Sequence, residues 1–337
     1  MLKLPTLDDV AHAAGVSTAT VSRCLNAPDM VRAPTRERVL RAVAELGYTP
    51  HFGGRALASN RTNTIGVVIP TMESAIFARG LQALQEALSD SGVTLLIATS
   101  HYDPAREAAQ IRALLGRGVD GLILIGNARP PETYALLDAH GIPFVLMWSH
   151  QADCPRPSVG FDNRAAARAM AEKVLDMGHS RVAMIAGVTA WNDRAQGRVE
   201  GVRAALQARG LSLEPPLLIE APYLLDDSTK ATHALLALSP RPTAIICGND
   251  VQAAGALRAA REAGLSAPKD LSVVGFDDIE LAIAVDPPLT TVHVPHRRMG
   301  DDAARMLLTL IAGHKPPGNI VFETEIIMRG SLGPPPT

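Results

Sequence analysis

In the segment STATVSRCLN, residues 17–26, a single arginine stands among small hydroxyl and amide side chains. The guanidinium of Arg23 can offer a two-pronged fork to guanine O6 and N7, and the methyl of Ala19 can rest on a thymine methyl, with Thr18 beside them. Thr6, Ser17, Thr20, Ser22 and Asn26 are short donors suited to phosphate oxygens, a task shared by the unpaired N–H groups of a helix N-terminus. Taken one at a time, the same residues serve as well for caps and solvated faces of a three-helix bundle.

Those side chains need elements to hold them, and the first sixty residues read as helices with no strand. Thr6 followed by Asp9 is a capping-box start, after which Val10 and Ala14 fall on one face at helical spacing. Gly15 breaks that helix. Ser17 is an N-cap for a second helix in which Val21 and Leu25 turn inward while Thr18, Ala19, Ser22 and Arg23 stay outside. Helix, glycine-containing turn and helix make a helix-turn-helix, whose second helix lies in the major groove with its N-terminal residues at base edges. A third helix is predicted from about Thr35 to Leu46, ending at Gly47 and Pro50. Charge points the same way: residues 1–61 hold eight Lys/Arg against five Asp/Glu, a net of +3, and the rest of the chain holds 24 against 29, a net of -5. A mildly basic head on an acidic body fits a polyanion partner for the head, or a solvated surface.

From Ile65 onward the pattern changes to short β-branched runs: IGVVIP at 65, TLLIAT at 94, GLILIG at 121, FVLMW at 144, VAMIAG at 182, TAIICGN at 243 and SVVGFDD at 272. Ala/Leu/Arg stretches of helical length separate them, which predicts parallel sheets covered by helices on both faces. About ten strands are many for one sheet, so two doubly wound lobes are expected. Pro287, Pro288 and Pro295 bracket LTTVHV, which would suit a crossing between lobes, and ligands in such folds sit beyond the carboxyl ends of the strands.

At 337 residues, 47% hydrophobic and 20% charged, the chain can bury several cores and is not generally disordered. Cys24, Cys154 and Cys247 form no CxxC pair, so neither zinc nor a redox centre is expected and a reducing compartment fits. The opening MLKLPTLDDV has no apolar signal core, and no run approaches the ~18 apolar residues of a membrane span. A soluble cytoplasmic protein is the expectation, for which the sequon at Asn60 is a sequon in name alone. Enzyme motifs fare poorly. GRGVDG at 116–121 matches GxGxxG yet follows a helix and precedes a strand, the reverse of a dinucleotide site. Walker A, HExxH and GxSxG are absent, and the ten histidines have no ligand spacing, so no catalytic residue, cofactor or metal is expected.

The run TLDDVAHAAGVSTATVSRCLNAPDMVRAPTRERVLRAVAELGYTP, with its pattern GVSxATVSRxLN, resembles the DNA-binding head of the lactose and galactose repressor family. The resemblance continues through RALASNRTNTIGVVIP, VGFDN, RVEG and GND into VVGFDD and LTTVHVP, covering nearly the whole chain. It implies a transcription repressor that binds palindromic double-stranded operator DNA as a homodimer, with a body folded like periplasmic sugar-binding proteins. On that resemblance residues 1–50 are the head and 51–62 a hinge helix. Residues 63–337 are then the effector-binding and dimerisation core, with lobe 1 at about 63–162 and 293–323 and lobe 2 at about 163–292 and 324–337. Leu57 stands where the family wedges a leucine into the minor groove. Gly54 departs from the family's usual alanine and His51 from its usual asparagine; glycines at 53 and 54 cost a helix about 1 kcal/mol each. Arg32 replaces a common capping serine, at a cost of about 1 kcal/mol. GSLGPPPT at 330–337 lacks a leucine heptad tail, so a dimer is expected rather than a tetramer.

The same resemblance puts Phe77, Trp148, Arg198, Tyr223, Asn249 and Asp277 around a small carbohydrate-like effector. Asp277 can accept hydrogen bonds from vicinal hydroxyls, Arg198 can clamp a carboxylate, phosphate or hydroxyl pair, and Trp148 or Tyr223 can cover an apolar sugar face. Trp148 serves equally as a core residue, and Asp277 and Asp278 as caps of a turn. Trp191, Asn192, Asp193 and Arg194 occupy the loop after VAMIAG, where specificity could reside. The stretch from VGFDNRAAARAM to GHSRVAMIAG resembles the gluconate-utilisation branch, which makes a sugar acid the first effector expectation. A free sugar-binding protein would need an export signal, and an enzyme with a DNA head would need a catalytic constellation. An activator role stays open, because such a head can recruit or block polymerase according to where its operator lies.

Overall fold

The computed structural model describes residues 4–49, 61–316 and 318–336. Two compact units, Met1–Thr64 and Ile65–Thr337, divide the chain. Leu57, with His51, Gly53 and Gly54, lies outside the described residues.

The first unit is helical, with α1 (Leu7–Ala14), α2 (Thr18–Asn26), a 3-10 turn at Pro28–Met30 and α3 (Ala33–Leu46). Thr6 and Asp9 close the expected capping box, the Thr6 hydroxyl accepting from the Asp9 N–H while the Thr6 N–H donates to the Asp9 carboxylate at 2.8 Å. Gly15 turns the chain with φ 64°, a left-handed conformation that suits a residue without Cβ, and Ser17 then caps α2 by accepting from the Thr20 N–H. Val10, Ala14 and Val21 enter the head core as the spacing predicts. Leu25 does so only in part. Cys24 is the buried residue on the last turn of α2, because the third residue after Val21 lies on the same face as the fourth. α3 begins two residues earlier than predicted: Pro34 fits its first turn, where a missing N–H costs nothing. Arg32 at its N-cap makes no side-chain hydrogen bond to the helix.

The second unit carries two six-stranded sheets. The first is built from β1 (Thr64–Ile69), β2 (Thr94–Thr99), β3 (Gly121–Ile125), β4 (Phe144–Met147), β5 (Ser158–Gly160) and the late strand β11 (Ile320–Val321), in the order β11-β5-β4-β3-β1-β2. The second holds β6 (Val182–Ala186), β7 (Leu218–Glu220), β8 (Ala244–Cys247), β9 (Ser272–Asp277), β10 (Thr290–His293) and β12 (Glu325–Ile327), in the order β12-β10-β9-β8-β6-β7. β1, β3 and β4 pair in parallel, as do β6, β8, β9 and β10, while β12 runs antiparallel to β10. Central strands such as β1, β3 and β9 are buried along their full length, as parallel strands covered on both faces must be.

Helices α4 (Ala75–Asp90), α5 (Pro104–Gly116), α6 (Pro131–His140), α7 (Asn163–Asp176), α8 (Asp193–Ala208), α9 (Leu225–Leu236), α10 (Asp250–Glu262), α11 (Leu281–Ala284) and α12 (His296–Ile311) connect the strands. GRGVDG does fall between a helix, α5, and a strand, β3. LTTVHV forms β10 within the second sheet, and the chain returns to the first sheet just after it, through α12 packed on α4, β3, β4 and β5. In each sheet the strand order reverses beside the first strand, between β1 and β3 and between β6 and β8, which are the topological switch points where such folds bind ligands.

Candidate functional site

Strand carboxyl ends from both sheets converge on one cleft, lined by Ser74, Ile76, Phe77, Tyr102, Trp148, Asn192, Arg194, Arg198, Tyr223, Asn249 and Asp277. All six residues expected around an effector are in that lining. Asn192 and Arg194 join them from the loop after β6, and a second, adjoining cavity shares Tyr102 and Arg194 and adds Trp191. Ser74, Ile76 and Tyr102 went unread in the sequence, although Tyr102 stands three residues beyond the end of β2, at the carboxyl end where ligand-facing residues belong.

Burial dominates the chemistry of this cleft. Asp277 is 1% exposed and Arg198 6% exposed, and their side chains form an ion pair at 3.5 Å, too long for a good hydrogen bond. The rest of Arg198 is committed to the protein: Nε donates to Asn163 Oδ1 at 2.9 Å, Nη1 to the Gly248 carbonyl, and the guanidinium lies 3.7 Å over the Phe276 ring. Asn163 is fixed in turn by donating to the Trp148 carbonyl. Both carboxylate oxygens of Asp277 lack a hydrogen-bond partner among the described residues. Burial pushes that carboxyl up to about 6 against the opposing pull of Arg198. Neighbouring Asp250 is pushed up to about 7 by burial and by the charge of Asp277, with Thr291 and the Ile279 N–H as its donors.

The aromatic wall is equally fixed. Phe77 meets Trp148 edge to face at 5.3 Å between centroids, and Trp148 Nε1 donates to His296 Nδ1 at 3.1 Å. That bond leaves the proton of a neutral imidazole on Nε2, which faces the Asp277 carbonyl. Burial lowers His296 to about 3, so it stays neutral. Tyr223 and Tyr102 stand 6.3 Å apart. Tyr223 fits only because residue 187 is glycine, since a Cβ there would overlap its ring and hydroxyl. Tyr102, Trp148 and Asp277 all have positive φ, 60°, 64° and 101°, conformations that cost bulky residues of order 1 kcal/mol or more and persist where surrounding structure enforces them. Trp148 thus fills the core and lines the cleft at once. Asp278 pairs with Arg329 and His293 and leaves Asp277 to face the cavity.

The head offers the opposite setting. Thr6, Ser17, Thr18, Ala19, Arg23 and Asn26 are exposed and Thr20 and Ser22 half-buried. Ser17 and Thr20 bond to each other, Asn26 bonds to Ser22, and Arg23 is in no salt bridge among the described residues. Among the described residues no group of three or more His, Cys, Asp or Glu could hold a metal ion, and no helix is long and apolar enough to cross a membrane.

Comparison with known proteins agrees with both regions. Residues 6–51 match "Bacterial regulatory proteins, lacI family", and residues 171–332 match "Periplasmic binding protein-like domain". The chain is 34% identical over 328 residues to the HTH-type transcriptional repressor CytR of Escherichia coli strain K12, covering 97% of this chain and 96% of that protein. It is similar to the Lac repressor dimer bound to operator and the anti-inducer ONPF, with TM-score 0.86, 29% identity and coverage of 98% and 99%. A complex of the transcriptional regulator CelR with cellobiose matches at TM-score 0.71 and 32% identity, covering 97% and 99%. With a helix-turn-helix head, two doubly wound lobes and similarity running the length of the chain, the protein belongs to the lacI family of bacterial regulatory proteins.

Proposed function

We propose that the protein is a cytoplasmic, sequence-specific transcription repressor that binds palindromic operator DNA as a homodimer and is controlled by a small carbohydrate-like effector. Residues 1–50 bind DNA, 51–62 join head to core, and 63–337 bind effector and dimerise. On the head Arg23, Thr18 and Ala19 read base edges, while Thr6, Ser17, Thr20, Ser22 and Asn26 hold phosphates. Leu57 serves the minor groove. In the core Asp277, Arg198, Asn249, Phe77, Trp148 and Tyr223 hold the effector. One observation carries the reading: a chain with a helix-turn-helix head also contains a cleft whose central carboxylate, Asp277, is buried with no hydrogen-bond partner on either oxygen among the described residues. Such an acceptor costs folding free energy unless a ligand meets it.

Selection of duplexes from random DNA by the purified protein tests the DNA half, the expected product being a two-fold symmetric site. Enrichment of no sequence would refute it. A thermal-shift screen of sugars and their derivatives tests the ligand half, because a ligand at 100 times its dissociation constant stabilises by about 2.7 kcal/mol.

A further inference from the structure

Resting on the reading of the cleft as the effector site, we infer that residues 188–194 form a strap joining the half of the core that carries the second sheet to the half that carries the first. Asp193 is its buckle, and release of that buckle governs entry to the cleft.

The strap is organised on its own side before it reaches across. At its base the Thr189 N–H and hydroxyl donate to the two carboxylate oxygens of Glu220 at 2.9 and 2.7 Å. Asn192 closes the turn: its N–H donates to the Thr189 carbonyl, its side-chain amide donates to the Val188 carbonyl, and its Oδ1 caps α8 by accepting from the Ala195 N–H. Within the turn Trp191 stands at φ 55° and is half exposed, yet it lines the adjoining cavity together with Val68, Ser100 and Ile125 of the first half. Asp193 and Arg194 then begin α8, and both of their side chains are more than nine-tenths buried.

The first half presents a receiver that is equally fixed. At the end of β3 the Ile125 and Gly126 carbonyls accept from Arg129, and the Asn127 carbonyl accepts from the Tyr134 hydroxyl at 3.0 Å. Arg129 is itself buried and paired with Glu107. From this held backbone the Asn127 N–H donates across to Asp193 Oδ2 at 2.9 Å. Gly126, at φ 71°, provides the room, because a Cβ there would overlap Asp193 Oδ1 and Arg194 Nη1.

The distribution of charge makes this a fastening that can open. Arg194 donates from Nη1 to Asp193 Oδ1 at 3.0 Å, so the arginine and its counter-ion stand side by side at one helix end. When the halves part the two leave together, and no buried charge is stranded without its partner. What is lost is one hydrogen bond to a charged acceptor and the packing on Gly126, a cost compatible with local opening. Arg79 also reaches between the halves, to Glu280 and the Asp278 carbonyl. Glu280 is largely exposed, however, and an ion pair in solvent contributes little. Arg194 lines both the cleft and the adjoining cavity, so the strap closes the cleft where the two spaces meet.

Two measurements on the full-length protein test the strap without any effector. Asp193→Ala should speed hydrogen exchange of the Asn127 amide by about tenfold or more, while the Gly126 amide, bonded to the Met147 carbonyl, keeps its rate. Entry of acrylamide is the second readout. Trp191→Phe leaves Trp148, buried on the cleft wall, as the sole tryptophan, and adding Asp193→Ala should raise its quenching by acrylamide about tenfold. Gly126→Ala pushes the strap off from the opposite side with the Asp193–Arg194 pair intact; it should produce the same two changes and decides the matter should Asp193→Ala not fold. Either readout left unchanged in a folded variant overturns the inference, as does a wild-type Asn127 amide that exchanges at the rate of an unbonded one. Neither readout involves a ligand, so that failure would leave the effector-controlled repressor standing, and a failed ligand screen would leave the strap standing.

Discussion

Two arginines state the difference between the head and the cleft. Arg23 is exposed on α2 and in no ion pair among the described residues, whereas Arg198 is 6% exposed, ion-paired, hydrogen-bonded and stacked on Phe276. In the proposed function the first meets a partner that arrives from solvent, while the second is spent on the protein and lines the cleft proposed for something small. A polyanion can be met by a surface of loose donors because it supplies many contacts at once. A small ligand supplies few, so its site must be assembled in advance, down to backbone conformations that bulky residues otherwise avoid.

That contrast predicts a hierarchy of effects. The largest belongs to Asp277→Ala, which removes the acceptor for the effector hydroxyls and should weaken effector binding by about 100-fold or more, with operator affinity in its absence nearly unchanged. Isothermal titration and operator binding by anisotropy measure the two quantities separately; equal loss of both would erase the distinction between the regions. Arg23→Ala comes next, costing about 1 to 3 kcal/mol on operator DNA and much less on random DNA. A loss of the same size on both DNAs would make Arg23 a phosphate contact.

The head was legible because its signals are local. The Thr6–Asp9 capping box, the Gly15 turn and the Ser17 cap each span a few residues, and local sequence decides them. Even there packing chose Cys24 over Leu25 for the deepest place on α2, a choice that depends on where α1 and α3 lie. In the core the long apolar strands were legible as strands, while β5, β7, β11 and β12, two or three residues each, carry too few residues for any period. The six cleft residues came from family resemblance; no spacing rule joins Phe77 to Asp277 across 200 positions. No role was read for His296, or for Asn163 within VGFDN, which fix Trp148 and Arg198, since each acts through a partner more than thirty residues away.

Two smaller effects sharpen the comparison. Burial pushes the Asp277 carboxyl up to about 6, so a ligand that needs its ionised form should bind about tenfold more weakly at pH 5 than at pH 7.5. Asp277→Asn should remove that dependence. The same raised value means that ionising Asp277 opposes folding. The ligand-free core therefore gains stability from this group as pH falls from about 6 toward the unfolded value near 4, and neutral His296, which resists protonation below 6.5, works in the opposite direction. Nothing comparable is expected of DNA binding through Arg23. Smallest of all, Arg32→Ser restores a side-chain cap to α3 and should raise the stability of the head by about 0.5 to 1 kcal/mol, read from its denaturation midpoint.

The central claim is that head and cleft are two ends of one equilibrium, and linkage gives it a direct test. Effector affinity would be measured for the full-length protein with and without saturating operator, and operator affinity with and without saturating effector, at one salt concentration. The account predicts that effector changes operator affinity and that operator changes effector affinity by the same factor in the same direction. Effector binding at the Asp277 cleft that is identical on free and operator-bound protein would contradict it.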